Sequence, residues 1–127
     1  MSAMLTFATP PHGLAPHVDF LLSEIDGADG LFALQSTTNA GIRLFVLDAS
    51  VYLPDYSPII SDEDSVALDL HRAEDALLLV VANPGGADGG TTVNLLAPIV
   101  VNARTSVGAQ LILEEQDLPL RAELAAR

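Results

Sequence analysis

Apolar and polar positions alternate in short runs, and turn residues separate the runs. Residues 4–8 read as a first strand, stopped by Pro10-Pro11, after which His12-Gly13 turns the chain. Residues 18–23 read as a second strand. Asp26-Gly27-Ala28-Asp29-Gly30 is a turn, because Asp and Gly tolerate the left-handed conformations of tight turns. Residues 31–37 form the next strand, and Asn39-Ala40-Gly41 connects it to residues 42–48 as a hairpin. Turns at this spacing predict an antiparallel meander.

Pro54 and Pro58 forbid a central strand between them, so residues 51–60 are expected as an extended edge or loop. Ser61 followed by Asp62-Glu63-Asp64 predicts a helix start: the hydroxyl caps an orphan N–H and the acids suit the positive end of the dipole. That helix should cover about residues 62–70. Residues 77–82 are apolar on both faces, as a central strand covered on both sides would be. Residues 83–90 form a loop by composition. Residues 91–102 follow period 2, with Thr91, Val93, Leu95, Ala97, Ile99 and Val101 on one apolar face. Pro98 inside that run implies a bulge or an edge-facing position. Gly108 opens a last strand at 109–114. Residues 1–121 are expected as one domain, and 122–127 as a loose tail. Helices do not alternate with strands, which argues against a parallel α/β sheet. The expected fold is mainly β: a small, single-domain antiparallel β-barrel-like structure with one or two short helices.

Composition narrows the function. A chain of 127 residues suits one domain. It contains no Cys, which removes disulfides, thiolate zinc sites and cysteine nucleophiles. All five cations are Arg, so no phosphate-loop or Schiff-base lysine is available. Seventeen acids against five Arg leave a formal charge of −12. Phosphate backbones and anionic membranes are repelled, so direct nucleic-acid and membrane partners are not expected, whereas a basic protein would be attracted. The longest apolar stretches, 76–82 and 95–101, are too short to span a bilayer, and the N-terminus does not read as a signal peptide. The expected location is the cytoplasm.

Enzymatic signals are weak, and neither cofactor nor metal is expected. His12, His17 and His71 lack metal-ligand spacing, and no Gly-x-Ser-x-Gly elbow is present. The glycines of 85–90 come with Asp88 and no Lys, which suits a hairpin loop better than a phosphate cradle. Asp62-Glu63-Asp64 is not spaced as a calcium loop. Asp48 and Asp55 could pair for acid–base work, but sequence gives no distance between them.

The segment Thr92-Val93-Asn94-Leu95-Leu96-Ala97-Pro98-Ile99-Val100-Val101-Asn102 resembles the hallmark strand of the FliW flagellar assembly factors. Leu34-Gln35-Ser36 is similar to the family's Leu-Gln-Ser strand. Tyr52-Leu53-Pro54-Asp55-Tyr56, followed by Ser61-Asp62-Glu63-Asp64, resembles its Pro-Asp-Tyr and Ser-Asp-Glu-Asp block. Gln110, Leu113 and Glu114, with Pro119 and Arg121, are similar to its closing segment. The family opens with an extra strand before its first turn. This chain starts late, so a missing or shortened first strand, an open barrel edge and weak self-association are expectations.

The resemblance implies a non-enzymatic partner switch in the cytoplasm. FliW proteins bind new flagellin; once flagellin is exported, they bind the translational regulator CsrA and stop it repressing flagellin mRNA. From charge and exposure, Asp55, Asp62, Glu63 and Asp64 are candidates to meet a basic partner. Tyr52 and Tyr56 are candidates for an apolar surface, with simple packing as the other reading. Gln35, Ser36, Pro54, Asn94, Ala97, Pro98 and Asn102 are motif residues read as structural. A small β-barrel enzyme or small-molecule-binding module sharing only the fold is the alternative.

Overall fold

The computed structural model describes residues 2–8, 10–11, 13–27, 29–53, 56, 58–72, 75–83, 91–113, 118 and 122–123. Strands β1 (Ser2–Phe7), β2 (Asp19–Glu24), β3 (Leu31–Ser36) and β4 (Arg43–Asp48) form the expected antiparallel meander. β5 (Ala76–Asn83) pairs with β4 from Phe45↔Ala82 to Asp48↔Leu79. On its other edge β5 takes β6 (Thr92–Val93) and β7 (Ile99–Asn102), one after the other. β8 (Val107–Gln110) joins β7 and returns to β1, which closes a barrel of seven strands, while β9 (Ala122–Glu123) adds to β6. Seven is odd, so directions cannot alternate all the way round. One neighbouring pair must be parallel, and it is β1 with β8, through Thr6↔Val107 and Phe7↔Gly108.

The barrel is filled by the inward residues of alternating positions. Leu5, Phe7, Phe20, Leu22, Leu34, Val46, Leu79, Ile99 and Val101 form its interior cluster. Phe7 meets Phe20 edge-on, with ring centroids 5.3 Å apart. Along β2, buried Phe20 and Leu22 alternate with exposed Asp19 and Leu21, so that wall has one dry and one wet face.

The opposite wall is covered on its outside too. Helix α1 (Ala49–Tyr52) and helix α2 (Asp62–Ala67) belong to a strap, described at residues 49–53, 56 and 58–70, on the outside of the barrel, with α1 against β4 and β5. Beneath α1 and the loop after it lie Leu47, Val80, Ala82 and Val93, packed by Tyr52, Leu53 and Tyr56. At the other end Leu68, Val100, Leu111 and Leu113 pack with Ile60, Leu70, Ala76 and Leu78. β5 is therefore the central, doubly covered strand its sequence predicts.

Several expectations need correction. The run 91–102 is not one strand. Asn83↔Thr92 and Ala82↔Val93 pair in one register, Leu79↔Ile99 in another, so residues 94–98 oppose only Val80 and Val81. Three extra residues, an odd number, turn the chain over between the halves. Val93 belongs to the outer cluster and Ile99 and Val101 to the interior, which divides the single apolar face that period 2 predicts. The first strand is neither missing nor short: β1 has partners on both edges, which fills the open edge on which self-association was expected. Its small residues Ser2 and Ala3 gave no apolar signal. Within 51–60 the sequence reading missed the single turn of α1, which Asp48 caps. α2 stops at Ala67, and Asp69 turns left-handed at φ 55°. The last barrel strand begins at Val107 and includes Gly108. Ala122 and Glu123, placed in the tail on sequence grounds, form β9.

Candidate partner-binding strap

The strap is fixed at its start by a turn–helix contact. Asp48 accepts from the Ser50 N–H at 2.9 Å and from the Ser50 hydroxyl at 2.7 Å. The Asp48 N–H donates to the Gly30 carbonyl at 2.8 Å. Gly30 has φ +82°, and a Cβ there would sit 3.0 Å from Val51 Cβ and 3.1 Å from the Tyr52 ring. Glycine is required beneath α1 on both counts. Tyr52 and Tyr56 are half-buried and pack on the outside of β4, β5 and β6. The Tyr56 hydroxyl donates to the Leu95 carbonyl at 2.6 Å, and burial pushes its pKa up to about 12. Pro54 and Asp55 lie outside the described residues, as do His12, Glu114 and the loop 84–90.

α2 begins as its sequence predicts. Ser61 accepts from the Asp64 N–H at 3.1 Å and donates to the Asp64 carboxylate at 3.0 Å. Asp62 and Glu63 are exposed in the first turn, and none of the six helical residues is buried. The far end is held from below by Asn102, which has no exposed surface. Its Nδ2 donates to the carbonyls of Leu68 at 2.8 Å and Asp69 at 3.0 Å; its Oδ1 accepts from the N–H of Arg104 at 2.8 Å and Thr105 at 3.3 Å. Arg104 adds a 2.8 Å bond to the Asp69 carbonyl and faces the buried Asp75 carboxylate at 3.4 Å. Asp69 pairs with His71 at 2.9 Å. This polar knot ties α2 to the β7–β8 turn. Sequence reasoning picked out Asn102 but missed Arg104, Asp69 and Asp75, whose one signal was the scarcity of cations in the chain.

The other motif residues serve turns. Asn94 Oδ1 accepts from the N–H groups of Leu96 and Ala97, both at 3.0 Å, and so shapes the excursion between β6 and β7. Gln110 Nε2 donates to the Ala97 carbonyl at 3.1 Å, and the Pro98 carbonyl accepts from the Leu111 N–H. Ser36 is buried and accepts from the N–H groups of Thr38 and Asn39, each at 3.2 Å, while Gln35 Nε2 lies 3.4 Å from the Ala40 carbonyl. The tyrosines and the acids therefore sit at two separate stations, the tyrosines over Leu47, Val80, Ala82 and Val93 and the acids on a helix whose cap, Leu68, packs with Val100, Leu111 and Leu113.

Fold and strap define a closed seven-stranded β-barrel whose motif residues hold turns and whose outer wall carries an acidic bracket. The family model described as FliW protein matches residues 1–124, and the chain belongs to the FliW family. A flagellar assembly factor FliW of Desulfitobacterium hafniense strain Y51 is 34% identical over 91 residues, 72% of this chain and 60% of that relative. One from strain DSM 10664 / DCB-2 is 29% identical over 117 residues, covering 90% of this chain and 77% of the relative. One from Nitratidesulfovibrio vulgaris strain DP4 is 32% identical over 113 residues, 86% of this chain and 65% of its own. The match thus spans about three-fifths to three-quarters of these relatives. A crystal structure of the flagellar assembly factor FliW superposes with a TM-score of 0.88 at 23% identity, covering 98% of this chain and 86% of that one, and shows the same fold. Among the described residues, no helix is long and apolar enough to cross a membrane.

Proposed function

We propose that this chain is a non-enzymatic, cytoplasmic partner switch: it binds newly made flagellin and, when flagellin is exported, binds a CsrA-type regulator and relieves repression of flagellin translation. The observation that carries this reading is the match of the FliW family across nearly the whole chain. Two features support it. The net charge of −12 steers a basic RNA-binding protein toward the surface, and Asp62 and Glu63 stand exposed on a helix whose last turn holds no basic residue. Titrating the purified chain calorimetrically against flagellin, and separately against the CsrA-type regulator of the same organism, tests it. Saturable binding to both is expected. Binding to flagellin alone would remove the regulatory arm, and binding to neither would overturn the proposal.

A further inference from the structure

Bare aliphatic side chains and an excess of acid meet on one segment. Among the described residues, the two most exposed large hydrophobic side chains are Val66 at 80% and Ile59 at 73%. A single exposed aliphatic is ordinary on a protein surface. These two are set apart by the charge around them. Residues 44–70 hold six acids, Asp48, Asp55, Asp62, Glu63, Asp64 and Asp69, and no Arg, Lys or His. In α2 the two properties coincide. Glu63 and Asp62 precede Val66 by three and four residues, so both carboxylates neighbour it on the helix surface. None of the six helical residues is buried, yet the helix is fixed by Ser61 at one end and by the Leu68–Asn102 contact at the other. Val66 is thus held outward in a set orientation rather than folded down on the barrel.

An aliphatic centre with a charged border is the anatomy of a protein interface. Charge names the occupant. A second copy of this chain also carries −12 and is repelled. Of the two partners in the reading above, the regulator binds RNA, and a protein that binds RNA carries Lys and Arg to meet the phosphates. We propose that the strap is the docking surface for this basic, CsrA-type regulator. Val66 and Ile59 make its apolar contact, and Asp62 and Glu63 meet the cations that border that contact. This deepens the partner-switch reading and rests on it.

The test compares three variants of the full chain: Val66→Glu, Ile59→Glu and, as control, Met4→Glu. Met4 is 54% exposed on β1, opposite Leu21 of β2 and away from the strap in sequence. Each variant exchanges an exposed apolar side chain for a carboxylate, so the net charge changes equally. Each is titrated calorimetrically against the regulator. Were charge the whole of the contact, a further carboxylate on the strap would leave binding unchanged or tighten it. With the aliphatic side chains as anchors, V66E and I59E should each weaken binding at least about tenfold more than M4E, as loss of an interface anchor does. Should one of the two lose its native circular dichroism, the other decides. A smaller difference for either folded variant would overturn the docking surface and leave the partner switch standing. A parent chain that does not bind the regulator would remove the regulatory arm of that reading, and the docking surface with it.

Discussion

Asn102 uses every polar atom of its side chain: two carbonyls below α2 and two N–H groups of the β7–β8 turn depend on it. Replacing it strands the Leu68 carbonyl in a buried place and frees three part-buried partners, and an unsatisfied buried polar group costs about 1–3 kcal/mol. Asn102→Ala should therefore lower stability by roughly 2–3 kcal/mol in urea unfolding. A change below about 0.5 kcal/mol would show that water replaces the amide freely. Tyr56 offers a second test. Its folded-state pKa lies above the ordinary value of 10, so the folded state holds the proton more tightly. The stabilisation is whole below pH 10 and is lost as pH rises through about 12. Ultraviolet titration of phenolate should show a late step that Tyr56→Phe removes. A late step unchanged by Tyr56→Phe would contradict the Tyr56–Leu95 contact.

At the scale of elements, the turnover between β6 and β7 decides what each side chain supports. Val93 and Ile99 are both fully buried, but Val93 packs under α1 and Ile99 fills the barrel. Trimming either to Ala should cost roughly 1–4 kcal/mol, with different consequences. Hydrogen exchange should quicken in α1 for Val93→Ala, and in the β1–β2 pair for Ile99→Ala. Identical exchange patterns would mean the two share one face after all. The meander, the doubly apolar β5 and the start of α2 were legible because each rests on local chemistry: turn glycines, an unbroken apolar run, a Ser cap. The turnover was not, because Pro98 announces an irregularity but not its length, and only the count of inserted residues decides which face comes next. α1 was hidden for a similar reason, since one helical turn leaves no periodicity to read. The parallel seam follows from strand number, which no single segment carries.

For the whole molecule, charge and cover act together. The barrel exposes one wet wall over β1 and β2 and carries its strap elsewhere on its outside, where Asp62, Glu63 and Asp64 ride on a helix fixed by Ser61 at one end and by the Leu68–Asn102 contact at the other. Under the proposed function, replacing these three acids by Ser should slow association with the basic regulator by about 3- to 10-fold at low salt and flatten its salt dependence. Stopped-flow rates across an ionic-strength series give the slope, and an unchanged rate at low salt would move the steering surface elsewhere. The acids were legible in the sequence as a helix start. The proposed switch is the displacement of one partner by the other, and competition measures that displacement. A preformed complex of this chain with the CsrA-type regulator is titrated with flagellin, and free regulator is read by its binding to a labelled flagellin-leader RNA. Flagellin should displace the chain and restore RNA binding in proportion to the flagellin added. A regulator that stays bound to the chain at saturating flagellin would rule out the switch.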